Sequence, residues 1–188
     1  MKGKKNSKVF ILVFLGMLTA FGPFVTDMYL STLPAMSDYF HTTSSMVQLG
    51  LTASMIGLAA GQLLFGPLSD KYGRRLPLII SMALFAVATI GCIYSHTIMQ
   101  FVGWRLVQGI AGAGGIVISR SVAADKYAGR ELAKMLALIG AINGVAPVAA
   151  PMGGGFLAGS VGWIGIFWCL FVLGLILLWG SIHFEESL

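Results

Sequence analysis

Residues 46–94 read MVQLGLTASMIGLAAGQLLFGPLSDKYGRRLPLIISMALFAVATIGCIY, and this stretch decides the fold class. Two apolar segments flank a short loop, residues 66–75, which carries four charged side chains. An apolar segment of roughly 20 residues is long enough to cross a bilayer as a helix. The stretch therefore predicts two membrane-spanning helices joined by a charged turn at the membrane surface.

The rest of the chain repeats this pattern. Of its 188 residues, 57% are hydrophobic and only 10% are charged, and the mean hydropathy is +0.87. Soluble domains carry roughly 25% charged residues, so these proportions exclude a soluble globular protein. We predict an all-α membrane protein, a bundle of six transmembrane helices, with a basic N-terminal tail at residues 1–8 and a short cytoplasmic end at residues 183–188. The predicted helices cover residues 9–33, 46–64, 77–94, 98–123, 135–157 and 163–182.

The basic residues are concentrated in three clusters that border the apolar segments. The clusters lie in the N-terminal tail, in the loop after the second predicted helix and around the end of the fourth, whereas the loops after the first, third and fifth helices hold no Lys or Arg. Lys and Arg accumulate on the cytoplasmic side of membrane proteins. The pattern predicts a multi-pass protein of the bacterial inner membrane with both termini in the cytoplasm. The net charge of +5 thus reflects topology, and no basic face of the kind that binds nucleic acid is formed.

Two charged residues lie inside predicted helices. Asp27 lies six residues before the outer end of the first helix, which is roughly 9 Å at 1.5 Å per residue. Arg105 lies seven residues into the fourth helix from the same side, which is roughly 10 Å. The two residues should therefore share a depth in the outer half of the bilayer, where charges usually face a partner or a watery cavity. The alternative is an ion pair that only clamps two helices together.

Polar residues near these charges indicate such a cavity. Thr19, Pro23 and Asp27 are spaced four residues apart and share one face of the first helix. Met55 belongs to a similar stripe on the second helix, and the fifth helix contributes Asn143. We predict that Pro23, Met55 and Asn143 line a substrate cavity beside Asp27. A carboxyl group in such a cavity can bind and release a proton as its surroundings change, which is the chemistry of proton coupling.

Enzymatic and metal chemistry have little support in this sequence. Cys92 and Cys169 lie in apolar segments and show no metal-ligand spacing. An intramembrane protease would need a serine and a histidine paired within the bilayer, but His41, His96 and His183 lie at predicted helix ends or in loops. We therefore expect a protein that is not an enzyme and uses no cofactor or metal, with a proton gradient as its source of energy.

Four short motifs resemble those of the major facilitator superfamily. Residues 66–75, GPLSDKYGRR, match its signature G-x-x-x-D-[RK]-x-G-R-[RK] at every defined position. Residues 105–109, RLVQG, are similar to the R-x-x-Q-G motif of that superfamily, and residues 151–155, PMGGG, to the P-x-x-G-G end of its antiporter motif. Residues 26–34, TDMYLSTLP, resemble the T-D-M-Y-L-P-A-L-P segment of the Bcr/CflA drug-resistance subfamily, with two substitutions.

This resemblance implies a proton-coupled exporter of amphiphilic small-molecule drugs. Asp27 would be the proton site, and Arg105 would be the arginine that tunes it. A cytoplasmic cluster would latch one conformation, and the fifth helix would carry the antiporter motif. The cluster comprises Gly66, Asp70, Gly73, Arg74, Arg75 and Asp125. The antiporter motif comprises Pro147, Pro151, Gly154 and Gly155.

The resemblance covers one half of the family's fold. Major facilitators consist of two six-helix halves, each built from 3+3 inverted repeats, with the substrate site between the halves. The chain resembles the N-terminal half, so we expect it to pair with a missing C-terminal half or with a second copy as a homodimer. Its other expected partners are the drug, protons and the lipid bilayer. Two alternatives remain open: a facilitator of sugars or metabolites, and a six-helix membrane scaffold that transports nothing.

The predicted orientation can be tested by cysteine labelling. Single cysteines at Thr42 and Ser160 should react with a membrane-impermeant reagent from the periplasmic side, whereas one at Gly129 should react only from the cytoplasm, because Lys and Arg mark the cytoplasmic loops. Labelling is compared in intact cells and inverted vesicles, with Cys92 and Cys169 replaced. Reaction at position 129 in intact cells would overturn the orientation.

Overall fold

The computed structural model describes residues 8–188, so the predicted basic tail lies, apart from Lys8, outside the described residues. The described chain consists of helices and their connections: α1 (Lys8–Leu30), α2 (Leu33–Tyr39), α3 (Ser44–Tyr72), α4 (Arg75–Ile93), α5 (Ile98–Lys126) and α6 (Gly129–His183). Among them, five helices, all except α2, are long and apolar enough to cross a membrane. The predicted all-α membrane fold is thus confirmed.

The last helix, α6, is long enough to cross the membrane twice. It contains 55 residues, or roughly 80 Å at 1.5 Å per residue, whereas the hydrocarbon core of a bilayer is about 30 Å thick. Its helical backbone is interrupted at Gly162, which has φ 69° and ψ −177°. A positive φ of this kind is accessible to glycine without steric cost. We call residues 129–161 α6a and residues 163–183 α6b.

The contacts of α6a and α6b show that they run in opposite directions. Met135, near the start of α6a, lies beside the first turn of α1, and Gly154, farther along α6a, packs against Met28 in the last turn of α1. Phe184, just after α6b, stacks on Phe14 in the first half of α1, with ring centroids 5.9 Å apart. Residues 8–188 therefore form six spans, as predicted, and Gly162 provides the turn between the last two.

The helix ends differ from the predicted ones. α1 ends at Leu30 rather than at residue 33. Most of α2 lies in the segment between the first two predicted helices, where no helix was predicted. The first turn of α2 holds Pro34, a position where the missing N–H of proline costs nothing. α3 continues to Tyr72 instead of ending at residue 64, so most of the predicted basic loop is helical. Hydropathy marks the extent of the membrane and not the extent of the helix, because charged residues can continue a helix into water.

Small residues bring α3 and α5 into backbone contact. A Cβ atom built on Gly57 would overlap the carbonyl oxygen of Leu106, and one on Gly109 would overlap the carbonyl oxygen of Ser54. Such close approach is a common way to pack helices in lipid, where no hydrophobic effect drives association. In contrast, a Cβ on Gly140, in α6a, would meet no atom within 4 Å.

The tightly packed core lies between α1, α4, α5 and α6b. Leu18, Met82, Phe85 and Leu170 represent it, each at most 1% exposed. α3 and α6a instead leave one face uncovered, on which large apolar side chains are exposed, for example Phe156 at 79%. These two helices also carry Met55 and Asn143, two of the predicted cavity residues.

The α3–α5 contact yields a testable prediction. Gly109→Ala should lower the free energy of unfolding by about 1–3 kcal/mol, because the added methyl group meets the backbone of α3 and the helices must separate. The matched change Gly140→Ala should be neutral or stabilising by up to about 1 kcal/mol, since alanine favours a helix and the site is open. Unfolding in mixed micelles compares the two variants, and equal stability would contradict the packing.

Candidate functional site

A cavity of about 270 Å³ opens between α1, α3, α5 and α6a. Asp27, Pro23, Met55 and Asn143, which the sequence analysis assigned to one site, all lie on its wall. We call it the Asp27 cavity. The lining also includes four polar residues outside that assignment: Thr19, Thr26, Gln62 and Arg120.

Asp27 is partly buried beside a proline in α1. The hydroxyl group of Thr26 lies 3.0 Å from Oδ1 of Asp27 and 3.2 Å from the carbonyl oxygen of Gly22. Pro23 lies inside α1 and has no N–H to donate. Across residues 8–188, no cation lies within ion-pair distance of the Asp27 carboxyl group. This carboxyl group therefore faces the cavity with one hydroxyl group as its hydrogen-bond donor.

Arg105 lies outside the Asp27 cavity, contrary to expectation. Its side chain is fully buried, and its guanidinium donates from Nη1 to Oε1 of Gln108 at 2.6 Å and from Nη2 to the carbonyl oxygen of Val25 at 3.2 Å. It also lies over the aromatic rings of Tyr29, 4.7 Å from the centroid, and Phe167, 5.8 Å away. Nε has no hydrogen-bond partner.

The predicted proximity of Arg105 and Asp27 therefore does not produce an ion pair. The guanidinium is instead stabilised by a carbonyl oxygen and by the π faces of two rings, which attract cations. It contacts α1 at Val25, two residues before Asp27, on the side away from the cavity. Its link to Asp27 is thus through the backbone of α1 and not through charge.

The end of α3, the start of α4 and the end of α5 meet at Arg74. Its Nε donates to Oδ2 of Asp125 at 2.7 Å and its Nη2 to Oδ1 at 3.3 Å, while Nη1 pairs with Asp70 and donates to the hydroxyl of Ser69 at 2.9 Å. The arginine is 5% exposed. Its hydrogen bond to Asp125 raises the pKa of Arg74 above its ordinary, already high value, so the guanidinium stays charged. Three of the predicted cluster residues, Asp70, Arg74 and Asp125, thus form one network. Gly66 lies one turn earlier in α3, where an added Cβ atom would make an ordinary contact, 3.9 Å from a side-chain atom of Val117.

Sequence reasoning missed Glu186, which completes this network. Its carboxylate accepts hydrogen bonds from the backbone N–H of Arg74 at 2.8 Å and of Arg75 at 3.0 Å. These are the first N–H groups of α4, which have no partner within the helix. Partial burial alone would raise the pKa of Glu186, but the N–H donors outweigh it and hold that pKa below its ordinary value.

Gly73 explains why the carboxylate can approach so closely. Its φ is 83°, a conformation that favours glycine, and a Cβ there would overlap the carboxylate of Glu186. One sequence signal could have revealed the missing residue. Two arginines begin α4 where its helix dipole favours an acid, so an acidic group from elsewhere in the chain would be stabilising there.

The antiporter-motif residues lie in α6a. The helix continues through Pro147 and Pro151 and breaks only at Gly162. A Cβ on Gly154 would lie 2.9 Å from the carbonyl oxygen of Met28, whereas Gly155 faces open space. The motif therefore brings α6a close to α1 at Gly154 and leaves Gly155 on an uncovered face.

Comparison with known proteins identifies the family. Residues 9–186 match the family described as Major Facilitator Superfamily. The chain is 41% identical to an uncharacterized MFS-type transporter, YdgK, of Bacillus subtilis, over 93% of this chain and 44% of the relative. It is 30% identical to a bicyclomycin resistance protein homolog of Haemophilus influenzae, over 94% of this chain and 44% of that protein.

A solved structure supports the same assignment at the level of the fold. The D-xylose–proton symporter superposes with a TM-score of 0.82 at 17% identity, covering 95% of this chain and 48% of the symporter. The chain thus spans less than half the length of the relatives that it matches. Its six helices have the fold of one half of a transporter, and the chain belongs to the major facilitator superfamily.

Proposed function

We propose that this chain forms one half of a proton-coupled drug exporter and that Asp27 binds the coupling proton. The observation that carries the proposal is a carboxyl group with no cation partner among residues 8–188, on the wall of a partly polar cavity inside a membrane protein. The resemblance of residues 26–34 to a drug-resistance subfamily and the similarity to a bicyclomycin resistance protein homolog support drugs as the substrate class.

The physics of a membrane carboxylate supplies the coupling. An ionised carboxylate at membrane depth costs several kcal/mol unless it is paired or solvated. Asp27 can remove that cost by binding a proton or by contacting a polar or cationic group of a drug. The proton and the drug cannot both occupy the carboxylate fully at the same time, so binding of the proton favours release of the drug. Competition of this kind gives antiport when the site is exposed alternately to the two sides of the membrane.

Arg105 fits a positioning role in this mechanism. Its hydrogen bond to the carbonyl oxygen of Val25 fixes the segment of α1 that carries Asp27. Gln108, which accepts from Arg105, donates in turn to the hydroxyl of Thr89 at 2.8 Å. This buried chain of hydrogen bonds connects α1, α5 and α4, so a movement of any of these helices is transmitted to Asp27.

The Arg74 network suits the role of a conformational latch. It connects the ends of α3, α4 and α5 with the segment after α6b, so the cytoplasmic side of this half moves as one unit. The side chain of Asp70 is 67% exposed, whereas that of Arg74 is 6% exposed. An exposed acid beside a buried arginine can form and release a contact with a second half as the transporter opens and closes.

The uncovered faces of α3 and α6a provide the surface for that second half. They flank the Asp27 cavity, and a second six-helix unit placed there would close its open side. We propose that this unit is a C-terminal half or, failing that, a second copy of the chain in a homodimer. In either arrangement a two-fold axis along the membrane normal relates the two units.

The proton role of Asp27 can be tested by neutralising it. Asp27→Asn should abolish proton-driven drug efflux while leaving expression intact, because asparagine keeps the size and polarity but cannot take up a proton. Efflux of bicyclomycin is measured in cells that express the chain in its native genetic context. Asp38→Asn, at an exposed position in α2, is the matched control. Normal efflux by the Asp27 variant with unchanged pH dependence would remove Asp27 from the mechanism.

The role of Glu186 can be tested by its pH dependence. Glu186→Gln should lower the free energy of unfolding by about 1 kcal/mol at neutral pH, the usual effect of losing a helix cap. Because the folded pKa of Glu186 lies below the ordinary value of 4.5, its contribution is complete above that value and is lost as the pH falls through the lower folded pKa. The difference between wild type and variant should therefore vanish in acid.

The control for that experiment is Glu131→Gln. Glu131 is also an acid at the cytoplasmic side, and it forms an exposed pair with Lys8 at 3.6 Å. Exposed pairs contribute about 0–1 kcal/mol, so this change should be nearly neutral. An effect of Glu186→Gln that is no larger than that of Glu131→Gln, or that persists at low pH, would contradict the capping role.

A further inference from the structure

Arg120 is a cation in the Asp27 cavity for which the sequence suggested only a topological role. The sequence pattern placed it with the basic residues around the cytoplasmic loop, but α5 continues for six residues beyond it, to Lys126, or roughly 9 Å at 1.5 Å per residue. The Asp125–Arg74 contact marks the cytoplasmic end of this helix. Ser119, the residue before Arg120, contacts Thr19 in the middle of α1, so Arg120 lies inside the span, where it is exposed and lines the cavity.

The guanidinium of Arg120 is exposed and has no partner within the described part of the chain. No hydrogen bond, ion pair or ring contact joins it to any of residues 8–188. This distinguishes it from Arg74, which has two carboxylate partners, and from Arg105, which is enclosed by a carbonyl oxygen and two rings. An unpaired charge at membrane depth is costly and marks a functional site.

Arg120 and Asp27 occupy different levels of the cavity. The hydroxyl groups of Thr19 and Ser119 lie 2.9 Å apart, so Arg120 is at the level of Thr19. Asp27 is eight residues further along α1, which is roughly 12 Å at the helical rise. The cavity thus has an acidic end and a basic end, and no ion pair joins Asp27 to Arg120 within residues 8–188.

We propose that Arg120 is a specificity-determining residue that binds an anionic group of the transported molecule. A free guanidinium presents N–H donors in a planar fork that matches a carboxylate or phosphonate. The apolar part of the wall, including Met55, Leu58 and Ile116, suits an apolar ring system attached to that group. The cavity therefore favours acidic or zwitterionic amphiphiles over purely cationic ones. This inference rests on the proposed function in taking the cavity as the substrate site.

Binding to the purified full chain tests the inference independently of transport. The probes are nalidixic acid, an apolar ring system with one carboxylate, and its uncharged carboxamide. The wild-type chain in nanodiscs should bind the acid about tenfold more tightly than the amide, the effect of one charge-assisted contact. Arg120→Gln should abolish this preference by weakening acid binding only, and Arg120→Lys should retain part of it.

The matched control is Arg130→Gln, which neutralises an exposed arginine near the start of α6a, outside the cavity lining. It should leave the binding of both probes unchanged. A wild-type chain without preference for the acid, or an Arg120→Gln variant that loses both probes equally, would overturn the inference. Drug efflux is a separate measurement: an acid preference without proton-driven efflux would refute the exporter and leave the role of Arg120 standing.

Discussion

The close contact between α3 and α5 is the constraint on which the rest of the structure depends. At Gly57, Gly61 and Gly109 the two backbones approach so closely that no side chain fits between them. The two helices run in parallel, so the contact fixes one register along their whole length. Gly50 packs against Phe101 near the starts of the two helices, and Arg74, just after α3, meets Asp125 at the end of α5; in both pairs the residues are 51 apart in sequence. The same register places Met55 and Gln62 of α3 opposite the cavity-facing residues of α5.

Three arginines on this scaffold illustrate three ways to hold a guanidinium. Arg74 is neutralised by two carboxylates and joins the end of α3 to the end of α5. Arg105 is buried with no acidic partner among residues 8–188, and carbonyl, amide and aromatic groups stabilise its guanidinium instead. This arrangement holds α1, α4 and α5 against one another. Arg120 has no partner among residues 8–188 and faces the cavity. The first two fit the roles of latch and positioning residue, whereas the third is free to bind a ligand.

The cavity side of the bundle is looser than its core. α1, α4, α5 and α6b enclose fully buried side chains such as Phe85 and Leu170. α3 and α6a each present an uncovered face, and α6a carries glycines such as Gly140 and Gly144 that touch nothing within 4 Å. A tightly packed core on one side and two helices with uncovered faces on the other suit a six-helix unit that is stable by itself and can move against a second unit. The proline and glycine content of α6a serves this arrangement without breaking the helix before Gly162.

The sequence by itself determined the six spans, the residues of the Asp27 cavity on α1, α3 and α6a, and the motif that contains Asp70 and Arg74, whereas only the family resemblance joined Asp125 to that motif. Apolar length, helical periodicity and one dense motif carry that information locally. Only the tertiary structure decided that Arg105 lies behind α1, that Glu186 caps α4 and that Arg120 enters the cavity. Periodicity gives the face of a residue, but depth and register depend on how closely backbones approach. The partners of Arg105 and Glu186 include backbone carbonyl and N–H groups, which every residue carries and which no sequence pattern distinguishes.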